Sequence, residues 1–138
     1  LFVIAGQLFG GWVGDRIDKR LIMVVCMWMH AAALVLLAFA TSRGETAIFA
    51  AVHGAAWGMR GTLINAIRAD YFGRASYATI SGFASLIIMI GMTTGPLFAG
   101  LLHDMTGNYR QAFMILAGFS ALGSVALMLA RKPAVPVT

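Results

Sequence analysis

Residues 21–41 read LIMVVCMWMHAAALVLLAFAT, twenty-one positions without an Asp, Glu, Lys or Arg. A helix that crosses a bilayer needs about 20 consecutive apolar residues, so this run is long enough to span by itself. It is continuous, whereas a barrel strand places an apolar residue at every second position, so the run reads as a helix. Four further apolar stretches flank it: 1–14, which is too short to cross alone, 46–67, 77–102 and 111–130. Polar breaks separate them. These are Asp15-Arg16-Ile17-Asp18-Lys19-Arg20, Ser42-Arg43-Gly44-Glu45, Arg68-Ala69-Asp70-Tyr71-Phe72-Gly73-Arg74 and the turn-rich His103-Asp104-Met105-Thr106-Gly107-Asn108. Asn108 with Gln111 three residues on fits a helix N-cap. The expected fold is an all-α membrane protein, a polytopic transmembrane helix bundle.

Composition points the same way. Of 138 residues, 60% are hydrophobic and 11% charged, with a mean hydropathy of +0.85. An ordinary soluble domain is about half apolar and about a quarter charged. The composition therefore excludes a disordered chain and argues against a soluble domain. The formal charge is +5, a value that by itself would suit nucleic acid. Its distribution suits a membrane better. Arg16, Lys19, Arg20, Arg68, Arg74, Arg131 and Lys132 fall in loops or tail on one side, and Arg43 and Arg110 on the other. The positive-inside rule puts the first side in the cytoplasm, together with the C-terminal tail 131–138. Tyr71 and Tyr77 flank one interface and Tyr109 the other. The single cysteine, Cys26, excludes an internal disulfide framework and a multi-cysteine metal site. The chain starts with Leu1 inside an apolar stretch, with neither the basic leader nor the cleavage site of a signal peptide. It reads as a segment that begins within a helix.

Gly11-Trp12-Val13-Gly14-Asp15-Arg16-Ile17-Asp18-Lys19-Arg20 resembles the signature loop of the major facilitator superfamily. That pattern is met at Gly11, Asp15, Arg16, Lys19 and Arg20, with Asp18 where the family's second Gly usually stands. Gly82, Gly91, Gly95-Pro96 and Gly100 resemble the family's glycine–proline motif. The segments 69–74 and 95–109 are similar to the C-terminal half of organic-anion and monocarboxylate-type members. The resemblance implies the end of helix eight through helix twelve; helices two to six are the alternative registration. A chain that stops soon after Lys132 favours the C-terminal half. The resemblance further implies a secondary transporter of small solutes, such as organic anions, working by alternating access. The segment alone would be inactive. An efflux permease for drugs and a non-transporting truncated membrane protein are the alternatives. The implied partners are the lipid bilayer, the missing N-terminal half and a small-molecule substrate, without nucleic acid. The implied location is the plasma (inner) membrane.

Within that frame each polar residue has two readings. In the family, the equivalents of Asp15 and Arg16 latch neighbouring helices on the cytoplasmic side. The plainer reading is a topology signal. Asp15 lies near a helix C-terminus, which disfavours an anion, so it should seek a cation or a neighbouring helix N-terminus. Arg60 lies about 12 Å inside the cytoplasmic end of its span, where an arginine costs at least about 2.5–3.5 kcal/mol. It lines a water-filled substrate path, snorkels to the headgroups, or pairs statically with backbone carbonyls. At 100° per residue His53, Trp57, Arg60 and Ile64 share one stripe, with Gly54, Gly58, Gly61 and Asn65 beside it. Ile48, Val52, Met59, Leu63 and Ile67 lie opposite and read as the lipid side. Arg60, His53 and Asn65 are the candidate pathway residues. His30 and His53 could carry protons, since imidazole titrates near neutral pH; for His30, alone in its span, a static interhelical hydrogen bond is the plainer reading. Gly54 with Gly58, and Gly91 with Gly95, are small-xxx-small pairs for close helix approach. Pro96 and Gly100 extend that set as packing or hinge positions. No cofactor, metal or enzymatic role is expected. The histidines are too dispersed for a local metal motif, and Ser81, Ser85, His30 and His53 show no nucleophile–base spacing.

Overall fold

The computed structural model describes residues 1–130, apart from the side chains of residues 74 and 75. Arg131 and Lys132, and with them the expected tail, lie outside the described residues, as does the Arg74 side chain. Four helices follow one another: α1 (Phe2–Gly14), α2 (Lys19–Phe39), α3 (Arg43–Thr106) and α4 (Arg110–Leu129). No strand occurs among the described residues. Three stretches are long and apolar enough to cross a membrane: Lys19–Phe39, Ser76–Thr106 and Arg110–Leu129.

Local chemistry sets the ends. The Asp18 side chain caps α2 by accepting the Arg20 N–H at 2.8 Å. At the start of α3, Ser42 Oγ accepts the Glu45 N–H at 3.2 Å, and the Glu45 carboxylate accepts the Ser42 N–H at 3.0 Å, a reciprocal capping box. Gly107, at φ 74°, closes α3 in the left-handed conformation that glycine adopts without a Cβ penalty.

Several boundaries differ from the sequence reading: α2 ends at Phe39 rather than 41, and α3 begins at Arg43 rather than 46 and runs to Thr106 rather than 102. The break at 68–74 is not a loop. Helix continues through it, and α3 is two arms, 43–72 and 74–106, meeting at Gly73 with φ 65° and ψ 179°. Hydropathy marks where charges sit; it does not mark where the backbone stops being helical. The second span starts two residues earlier than 21, because Asp18 supplies the cap. Asn108 is not the N-cap of α4. Tyr109 holds that position, and Asn108 Oδ1 accepts the Arg110 N–H at 3.1 Å instead.

The core lies between α1, α2 and the first arm of α3, built from Val13, Ile22, Met23, Cys26, Met59, Leu63 and Ile67. Met59, Leu63 and Ile67 thus face protein, which corrects their assignment to the lipid side. In a membrane, lipid tails and packed side chains are equally apolar, so periodicity finds the stripe without saying what covers it. Backbones approach closely at α1–α3. A Cβ on Gly10 would come within 2.8 Å of the Met59 Cα, and one on Gly14 within 2.6 Å of a Leu63 methyl. A Cβ on Gly58 would run into the Val3 carbonyl oxygen, and one on Gly54 would sit 3.2 Å from the Phe2 Cβ. On the other face of α2, α4 docks through Ser120 Oγ, which donates to the Met27 carbonyl at 3.0 Å. The second arm of α3 stands largely uncovered, exposing Phe83, Ile87, Met89, Leu97 and Leu101 among others. A Cβ at Gly91, Gly95 or Gly100 would meet nothing within 4 Å.

Candidate functional site

Two polar clusters stand out, one at the α1–α2 turn and one inside the helix packing.

At the turn, the residues of the acidic–basic loop separate by role. Asp15 forms the C-cap of α1, and no ion pair holds it among the described residues. The helix-capping acid is Asp18, so the N-terminus that Asp15 was expected to seek is already served. Arg16 folds back on its own helix. Its guanidinium donates to the Trp12 carbonyl at 2.9 Å and lies 4.2 Å from the centre of the Trp12 ring. Gly11 faces open space. The cross-helix contacts come from the basic pair. Lys19 Nζ meets Asp70 Oδ2 at 2.8 Å, joining α2 to the end of the first arm of α3. Arg20 reaches the other way, donating to the Leu127 carbonyl at 3.1 Å and to the Met128 carbonyl. These carbonyls belong to the last turn of α4, where helical partners run out and cations are favoured. Two neighbouring side chains therefore tie three helices together. Asp70 escaped the sequence reading as a site residue. Its signal was present, since a lone acid among Arg68 and Arg74 adds nothing to positive-inside topology.

Deeper in the packing, α2 and the first arm of α3 bring together residues 23 positions apart. His30 Nδ1 and His53 Nδ1 lie 3.2 Å apart. His30 thus finds its interhelical partner in His53. The His53 ring is stacked between Phe49, at 5.1 Å, and Trp57, at 6.3 Å. Trp57 in turn lies under Arg60, whose Cζ is 4.7 Å from the ring centre. The i, i+4, i+8 ladder of Phe49, His53 and Trp57 is what helical periodicity builds on one face. Arg60 Nε is buried and makes no hydrogen bond among the described residues, and the same holds for His30 Nε2. A buried N–H without an acceptor costs about 1–3 kcal/mol, and a guanidinium in a span costs more. Arg60 supplies donors and positive charge where an oxygen acceptor is missing.

Asn65 does not join this cluster. It is exposed, and its side chain makes no hydrogen bond among the described residues. No group of three or more His, Cys, Asp or Glu residues is gathered as a metal-ligand set among the described residues.

Comparison with known proteins agrees with this architecture. The Major Facilitator Superfamily model matches residues 1–138. Monocarboxylate transporter 13 of Rattus norvegicus is 23% identical over 127 residues, covering 91% of this chain and 30% of that protein. Multidrug resistance protein D of Escherichia coli (strain K12) is 24% identical over 110 residues, 80% of this chain and 28% of that protein. Protein spinster homolog 3 of Danio rerio is 25% identical over 129 residues, 92% of this chain and 26% of that protein. The chain therefore spans less than a third of the length of these relatives. No solved structure matches it.

Proposed function

The chain belongs to the Major Facilitator Superfamily, and from that premise we propose that it forms the end of helix eight through helix twelve of a secondary transporter for small organic anions. It is an integral membrane protein by family and by its apolar helices. Substrate moves between two six-helix halves by alternating access. The protein sits in the plasma (inner) membrane with its C-terminus in the cytoplasm. The uncovered second arm of α3, including Gly91, Gly95, Pro96 and Gly100, faces lipid or helices of the N-terminal half.

One observation supports the anion preference above the others. Arg60 places a guanidinium within the helix packing, over Trp57, with a buried Nε–H that lacks an acceptor among the described residues. A carboxylate is the complement of such a group, because arginine pairs with it through a geometrically matched fork. The name of the rat relative, a monocarboxylate transporter, fits this chemistry.

The test is uptake by the intact protein in proteoliposomes against a panel of monocarboxylates, with Arg60→Ala and Arg60→Lys. We expect Arg60→Ala to lower anion uptake at least tenfold. Arg60→Lys should recover part of it, since lysine keeps the charge without the fork. Wild-type kinetics in Arg60→Ala would remove the anion site. The second reading, efflux of apolar drugs, draws on the Phe49–His53–Trp57 ladder and on the multidrug name of the bacterial relative. It predicts that Trp57→Ala impairs drug export while Arg60→Ala leaves it intact.

A further inference from the structure

Two imidazole nitrogens at 3.2 Å cannot both carry hydrogen along the line between them, and two facing lone pairs repel. The His30–His53 contact therefore holds one hydrogen between the two Nδ1 atoms. A neutral imidazole carries a single N–H, so one ring donates from Nδ1 and keeps a lone pair at Nε2. The other accepts at Nδ1 and carries its hydrogen at Nε2. His30 is 6% exposed, and its Nε2 has no partner among the described residues. An orphaned buried N–H is rarer in proteins than an under-used acceptor, which puts the lone pair on His30 Nε2 and the outer N–H on His53.

We propose that His30 and His53 form a single-proton binding site between α2 and the first arm of α3. A hydronium ion that reaches His30 Nε2 gives one proton to the free lone pair and is left as water, which then accepts the new Nε2–H that no described residue accepts. Both Nε2 atoms then carry hydrogen, and the Nδ1–H···Nδ1 bond stays in place as a charge-assisted one, which is stronger than its neutral form. No other bond changes. A second proton would have to enter on the accepting Nδ1. It would set two N–H groups against each other at 3.2 Å and break the link between the helices. The site therefore takes one proton or, on losing its geometry, two.

The surroundings reinforce that limit. From α2 the nearest titratable neighbour is Cys26, one turn before His30 and fully buried. From the first arm of α3 it is Arg60, whose charge opposes the first proton on the pair and a second one more strongly, since two like charges would then stand beside it. No titratable residue lies in α1. In α4 only Arg110 is charged, and it lies over the Phe39 ring at 4.0 Å. In the second arm of α3 Tyr77, His103 and Asp104 sit toward the ends. The carboxylates of these elements are engaged elsewhere among the described residues, Glu45 on the Thr41 and Ser42 N–H groups, Asp70 on Lys19 and Asp104 beside His103, so none offsets a double charge. The proposal is independent of what the protein carries.

The experiment is nitrogen-15 NMR on the intact protein with labelled histidine in lipid bilayers, titrated over about pH 4–9, the range in which imidazoles change charge. His30→Gln and His53→Gln assign the signals. In the unaltered protein we expect one Nδ1–H and one Nε2–H ring at high pH. On acidification we expect uptake of one proton per pair, with the Nδ1–Nδ1 coupling retained. In His30→Gln the remaining His53 should titrate as an isolated ring, its midpoint displaced by about one pH unit or more from that of the pair. Uptake of two protons with the coupling intact, uptake of none, or an unmoved His53 midpoint in His30→Gln would each overturn the proposal. Should His30→Gln fail to fold, the proton count and coupling in the unaltered protein decide alone.

Discussion

Glu45 shows how much a single exposed carboxylate can do in a chain with so few charges. It accepts the Thr41 N–H at 2.6 Å and the Ser42 N–H at 3.0 Å. These backbone donors, Thr41 first, hold its carboxyl below the ordinary value of 4.5. Ionised Glu45 is therefore favoured by the fold. Its contribution is fully present above the unfolded carboxylate range and is lost as pH falls through the lower folded value. Thermal unfolding in detergent should fall with acid below about pH 4.5 in the native protein, and Glu45→Gln should flatten that part of the profile. An identical acid slope in both proteins would remove Glu45 from the account. In sequence Ser42-Arg43-Gly44-Glu45 reads as a tight polar break; the capping box inside it, a pattern of only four residues, is a signal that reading passes over. The His30–His53 contact was not legible. Each histidine could be placed on its own helix, but which pair meets depends on how α2 and α3 slide and rotate against each other.

At the scale of elements, glycines with identical sequence signatures do different things. Gly58 lies where α1 and α3 touch backbone to backbone, and an added Cβ would run into the Val3 carbonyl oxygen. Gly91 has the same small-xxx-small spacing and nothing beside it. Gly58→Ala should destabilise the protein by about 1–3 kcal/mol, the usual range for forcing extra volume into a packed site. Gly91→Ala should fall within about 0.5 kcal/mol or gain slightly from helix propensity. Parallel melting curves in detergent check the contrast. Equal melting temperatures for the two variants would mean that α1 does not pack on α3 at Gly58. Gly73 is a third kind of glycine. Its φ of 65° with ψ 179° belongs to a region essentially reserved for glycine. Gly73→Ala should cost about 1–3 kcal/mol, or straighten the joint between the arms. Distances between spin labels on the two arms separate these outcomes. The sequence marks Gly73 as one member of a polar break; that it is the whole break follows from helix on either side.

At the scale of the molecule, Lys19 and Arg20 bind α2 to α3 and α4 at one end of the bundle. The Lys19–Asp70 pair is partly exposed, 31% and 52% by side chain, so it stabilises by no more than about 1 kcal/mol. A contact that weak can hold the helices at rest and open at small cost, as the proposed alternating access requires. Asp70→Asn should therefore leave the melting temperature almost unchanged. It should alter labelling of single cysteines on the two faces of the intact protein, and the exchange Lys19→Asp with Asp70→Lys should restore the native pattern. Native labelling in Asp70→Asn would show that the pair latches nothing. Asp15→Asn, the variant the loop motif singles out, should shift labelling less, since Asp15 holds no ion pair among the described residues.

Hydrophobic runs of about twenty residues, charge asymmetry between loops and the signature loop are local or additive properties. The sequence by itself therefore determined that this is a helical membrane chain, which superfamily it resembles, and that Arg60 is the basic residue topology leaves unexplained. The tertiary structure alone decided which apolar stripe is core, that Lys19 meets Asp70 while Asp15 meets no cation among the described residues, and that His30 faces His53. The reason is physical. Apolar side chains satisfy lipid and protein equally, so a span's composition leaves its rotation and axial register open. Those are set by where glycines let backbones touch and by which polar groups must then find each other.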